Sequence, residues 1–106
     1  MAVIVPSDFE DFYRLINTPG KVIFVLMYAW WCWGSQNAMP TFGELSDEFK
    51  DCLFIKVEME EIPDVPRIYD LDSTPALMFF RNGGRADTCL GGDRERLEQF
   101  IRMWAC

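Results

Sequence analysis

Apolar residues are arranged in two ways along this chain, as unbroken runs and at helical spacing. Val22 to Tyr28 is the longest β-branched and aromatic run, and the strand it predicts over Lys21–Ala29 does not alternate, as expected for a strand covered on both faces. Ala2–Val5, closed by Pro6, and Cys52–Val57 predict further parallel-type strands. Ala76–Phe80 and Arg85–Leu90, joined by Asn82-Gly83-Gly84, predict an antiparallel hairpin. Between these runs the spacing becomes helical. Phe9, Phe12, Tyr13 and Ile16 form one face behind a Ser7-Asp8 cap, with Glu10 at capping-box distance from Ser7, and Asn17-Thr18-Pro19-Gly20 ends that helix. Ala38, Met39, Phe42, Leu45 and Phe49 predict a helix over Trp33–Lys50, with a kink at Pro40. Val65, Ile68, Tyr69 and Leu71 predict a short helix starting near Pro63, and Leu97, Phe100, Ile101 and Trp104 a final helix over Asp93–Trp104. The order is βαβαβαββα: an α/β fold, one mixed five-stranded sheet flanked by four helices, in a single domain over residues 1–106.

Composition narrows the function classes. At 106 residues there is material for one core, and nine Phe, four Trp and three Tyr to fill it. Ten basic residues against seventeen acidic give a formal charge of −7, and the basic residues never cluster, which argues against nucleic acid and an anionic membrane surface as partners. The start of the chain lacks the pattern of a secretory signal, and no apolar run is long enough to span a bilayer, so a cytoplasmic location is expected. There is no histidine, and Cys32, Cys52, Cys89 and Cys106 form no C-x-x-C pair, so neither zinc spacing nor a disulfide framework is visible. Glu58, Glu60, Glu61 and Asp64 read as a solvated acidic loop, not a calcium loop.

The candidate chemistry lies at Trp30-Trp31-Cys32-Trp33-Gly34-Ser35, where a buried strand hands over to a helix. Unpaired amides and the positive end of the helix dipole favour a thiolate at such a start. Cys32 is therefore either a nucleophile or simply a small apolar residue on a first turn. Ser35, one turn on, can donate to the thiolate or serve as a first-turn N–H partner. Three bulky indoles cannot all pack at one strand end, so at least one, with Trp33 the best placed, should be exposed as a docking surface. Cys52, Cys89 and the terminal Cys106 carry weaker signals, of packing, an edge strand and chain-end exposure.

Several separately placed landmarks resemble the thioredoxin family over nearly the whole chain. Trp31-Cys32-x-x sits at a strand–helix junction, Pro40 inside the following helix, and Ser73-Thr74-Pro75 before a strand. Asn82-Gly83 leads into the last hairpin, and Gly91 stands before the last helix. The resemblance implies a thioredoxin fold, a cis Thr74–Pro75 peptide facing Cys32, and a groove in which Trp31, Trp33, Gly34, Thr74, Pro75 and Gly91 meet substrate beside catalytic Cys32 and Ser35. The departures carry as much information. Ser35 stands where the family has its resolving cysteine, Leu26 where it has a buried aspartate, and Gln36 where a basic residue usually follows; Lys56 has thereby lost its acidic partner. A monothiol C-x-x-S oxidoreductase or isomerase is implied, acting on protein disulfides or glutathionylated cysteines. It needs no cofactor but an external thiol reductant, for which glutathione is a candidate. The alternative is a redox-silent binding module using the Trp-rich groove. A third reading is a glutathione-binding, glutaredoxin-like protein, for which Gly91-Gly92-Asp93 resembles the ligand turn.

Overall fold

The computed structural model describes residues 3–105, and every strand among them joins one sheet. At its centre is β2 (Ile23–Tyr28), all six residues of which are buried. It runs parallel to β3 (Leu53–Glu58) and antiparallel to β4 (Ala76–Arg81). The outer strands are β1 (Val3–Ile4), parallel to β3, and β5 (Gly84–Leu90), antiparallel to β4, in the order β1-β3-β2-β4-β5. Four helices cover the sheet: α1 (Phe9–Ile16), α2 (Trp33–Glu48), α3 (Asp64–Ile68) and α4 (Arg94–Ala105). The expected mixed sheet and element order are both present.

Non-alternation in β2 has the expected cause. Ile23, Val25 and Met27 pack with Phe12, Ile16 and Val65 of α1 and α3, whereas Phe24 and Leu26 pack with Phe42, Leu45 and Phe100 of α2 and α4. Each face thus takes alternate residues of a strand that must be apolar throughout. Phe24 anchors the second face, with ring centroids of Phe54, Phe79 and Phe100 at 5.3, 5.8 and 6.5 Å. The hairpin turn has Asn82 and Gly83 both at positive φ, 55° and 82°, the backbone of a tight turn matching the strand twist.

Several local expectations are corrected. The cap of α1 is Asp8, whose carboxylate accepts the Asp11 amide at 2.8 Å; Asp11 in turn accepts the Ser7 amide at 2.9 Å. The box expected between Ser7 and Glu10 is thus replaced by two bonds around Asp11, whose amide donates to Asp8 and whose carboxylate accepts the Ser7 amide. Tyr13 is 57% exposed rather than part of the buried face, which consists of Phe12, Leu15 and Ile16 at helical spacing. Glu58 is not in a solvated loop. It ends β3 at 3% exposure, its Oε1 accepting the amides of Glu60 and Glu61 at 2.6 and 3.0 Å. Ile68 on α3 is exposed, leaving Val65 as the buried residue of that helix. Cys52 precedes β3 rather than opening it, and Phe49 caps α2, its amide donating to Leu45 O at 2.9 Å. Ala2 and Cys106 lie outside the described residues.

Candidate functional site

The turn from β2 into α2 is built by backbone bonds. The Cys32 amide donates to Ala29 O at 3.1 Å, the Gln36 amide to Cys32 O at 3.3 Å, and the Gln36 side chain to Trp30 O at 3.1 Å. Cys32 is the N-cap of α2, with extended φ and ψ and no side-chain capping bond, so the first amides of the helix remain open towards its sulfur. The thiol instead donates to Thr74 O at 3.2 Å. Thr74–Pro75 is a cis peptide. Residues far apart in sequence thereby meet at one half-buried sulfur.

Ser35 is fully buried one turn behind Cys32. Its Oγ accepts the Ala29 amide at 3.1 Å, so its acceptor side serves the end of β2 and not the first turn of α2. The hydroxyl proton remains for the sulfur. Burial pushes the Cys32 thiol up, but the Thr74 and Ser35 hydroxyls, with the amides of Ser35 and Gly34, outweigh it and hold the thiol below its ordinary value. Cys89 is the opposite case. Burial pushes its thiol up, with Asp87 and Asp93 adding to the effect against Arg96.

Three close backbone approaches shape the floor of the site. A Cβ on Gly34 would lie 3.1 Å from Pro75 Cδ, and one on Gly92 would lie 2.6 Å from Gly34 O and 2.8 Å from Gly34 Cα. Gly91, at φ 99°, donates its amide to Pro75 O at 3.0 Å. Gly34 and Gly91, expected to meet substrate, both lie against the chain's own Pro75 loop. Gly92, which the sequence places in a turn resembling a glutathione-binding one, packs on Gly34, and a double glycine before a helix is the signal of such an approach. Asp93 is likewise used internally, its carboxylate accepting the Glu95 amide at 3.0 Å.

Around this floor Trp30, Trp31 and Trp33 are 62, 68 and 77% exposed. Trp33 is the most open, as expected, but all three indoles face solvent. Trp30 was not among the expected substrate contacts; its ring stands edge-on to Tyr28 at 5.5 Å. Beneath the site Leu26 is fully buried in register with Lys56, so no carboxylate occupies that position of β2. Among the described residues no group of three or more His, Cys, Asp or Glu could hold a metal, and no helix is long and apolar enough to cross a membrane.

This combination of a helix-capping thiol, a cis-proline loop and a β1-β3-β2-β4-β5 sheet defines a class of protein. The thioredoxin family profile matches residues 3–103. Thioredoxin H5 of Oryza sativa subsp. japonica is 35% identical over 93 residues, covering 88% of this chain and 69% of that protein. Thioredoxin-like protein CXXS2 of Arabidopsis thaliana is 29% identical over 93 residues, 88% of this chain and 60% of that one. Among solved structures, Malassezia sympodialis thioredoxin superposes with a TM-score of 0.92 at 26% identity, covering 100% of this chain and 96% of that one. Oxidised Plasmodium falciparum thioredoxin superposes at 0.90 with 27% identity, covering 98% and 99%. The chain belongs to the thioredoxin family. At the level of that family its chemistry is thiol–disulfide exchange.

Proposed function

We propose that this chain exchanges disulfides through Cys32 alone and relies on an external thiol to finish the reaction. The observation that carries the reading is the buried Ser35 hydroxyl, placed where a second sulfur would resolve the adduct. The Cys32 thiolate attacks one sulfur of a protein disulfide or a glutathionylated cysteine. A bond forms between Cys32 Sγ and that sulfur, the old S–S bond breaks, and the departing thiolate takes a proton from solvent. For a protein disulfide two external thiols, with glutathione a candidate, then supply the electrons: the first clears the mixed disulfide and the second restores Cys32, leaving one external disulfide and a reduced substrate. For a glutathionylated cysteine, attacked at its glutathione sulfur, the protein thiol leaves reduced and a single external thiol restores Cys32. Thr74 and Pro75 would align the substrate chain, and Trp31 and Trp33 would cover its apolar side chains. No metal or resident cofactor takes part in the scheme.

A redox-silent binding module is the second reading, favoured by the three exposed indoles. The glutaredoxin-like reading has less support, since Gly92 packs on Gly34 and Asp93 caps its own helix. Incubation with oxidised glutathione followed by mass measurement tests the proposal. One reducible adduct at Cys32, with disulfide reduction strictly dependent on added thiol, is expected. No adduct would leave the binding module, and fast turnover without added thiol would refute the role given to Ser35.

A further inference from the structure

A groove of about 370 Å³ opens between α2, β1 and β3, and nothing in the exchange chemistry uses it. Val3, Met39, Pro40 and Phe42 supply apolar walls, and Gly43 leaves room among them. Its polar lining is Gln36 and Lys56. The Gln36 amide group is engaged with Trp30 O, which leaves Lys56 as the charge available to an occupant. In a chain of net charge −7 that cation is conspicuous. Among the described residues its ammonium makes no ion pair; it lies 5.9 Å from the Tyr28 ring centroid. Its register neighbour is the apolar, fully buried Leu26. Glu58 and Glu61 share a smaller cavity of about 60 Å³ with Lys56, but Glu58 Oε1 is taken by two backbone amides and neither carboxylate is paired with the ammonium.

We infer that this groove binds a small anion with an apolar body, of the aryl-alkyl carboxylate class, its carboxylate on Lys56 and its ring against Met39 and Phe42. The volume falls in the range of small-molecule sites, and apolar walls with one placed charge are the usual composition of such sites. The anion gives Lys56 an ionic partner, where its register neighbour Leu26 offers none. The inference is independent of whether Cys32 turns over.

Backbone amide NMR of the full chain, titrated with 4-phenylbutyrate and with the neutral 4-phenylbutan-1-ol, tests it. Saturable shifts are expected at Val3, Met39, Gly43 and Lys56, with the acid binding more tightly than the alcohol. Lys56→Met, which keeps an apolar stem, should weaken the acid about tenfold or more, the scale of a lost charge-assisted bond, and leave the alcohol unchanged. Gly43→Met should weaken both by occupying the groove, and it should fold, because a Cβ there meets nothing within 4 Å. Absence of saturable shifts at millimolar ligand, equal affinity for acid and alcohol, or an unaltered acid affinity in Lys56→Met would each overturn the inference. Shifts centred on Trp30, Trp31 and Trp33 would overturn it as well.

Discussion

Replacing Ser35 by Ala isolates the group on which the monothiol scheme depends. The hydroxyl accepts the Ala29 amide at 3.1 Å and is one of the groups that hold the Cys32 thiol below its ordinary value. The first loss strands a buried amide, at about 1–3 kcal/mol of stability, which a domain of ordinary stability survives. The second removes a donor to an anion, worth about 1.5 kcal/mol when discounted to the low end for a half-exposed sulfur. The thiolate fraction near neutral pH should then fall about tenfold. Part of this is returned, because a more basic thiolate is more nucleophilic with a Brønsted slope of about 0.4–0.5, so the net rate should fall about three- to fourfold. In strongly alkaline buffer, where both proteins are fully ionised, the order should reverse and the variant should react about threefold faster. Iodoacetamide alkylation of Cys32, followed by mass over a pH series, reads both arms. Generalised loosening would speed reaction at every pH. Parallel profiles without a crossover would refute the claim that Ser35 stabilises the anion.

Other outcomes follow from the same coordinates. Cys32 should alkylate far faster than Cys89 in the folded protein, since one thiol is held down and the other is buried and pushed up; peptide mapping after brief labelling checks the order. The folded-state thiol of Cys32 is held below its ordinary value, so its ionisation contributes stability that is fully present above the unfolded value and is lost as pH falls through the folded value. Urea midpoints of the wild type relative to Cys32→Ala should therefore rise with pH across that window. Gly92→Ala should cost about 1–3 kcal/mol in urea unfolding, because its Cβ would stand 2.6 Å from a backbone oxygen that no rotamer can move. Phe24→Ala should cost about 3–5 kcal/mol, since it opens a cavity among Phe54, Phe79 and Phe100.

Element order, the central strand and the thiol at the strand–helix junction were legible because periodicity, glycine and proline are local signals. Tyr13 shows where that locality ends: its spacing fits an apolar face, yet one step of helix rotation carries it into solvent while Leu15 takes the buried place. Glu58 looked solvated because its neighbours are acidic. Its burial depends on a turn that spends one carboxylate oxygen on two amides, a pattern that composition does not encode. Ser35 was identified as a thiol partner, but its bond to Ala29 exists only once α2 is docked behind β2. The contact of Gly92 with Gly34 joins residues 58 positions apart, and no pattern within either segment announces it.

The two residues between Cys32 and Ser35 are unequal in their freedom to change. Trp33 points outward at 77% exposure, whereas Gly34 is pinned between a proline ring and a glycine backbone. Diversification of this motif therefore has one open position, and an alteration there would retune which surfaces the protein meets without moving the sulfur. The neighbouring glycine holds the helix start against the last helix's approach, so the reactive geometry and the recognition surface can evolve separately although they are adjacent in the chain.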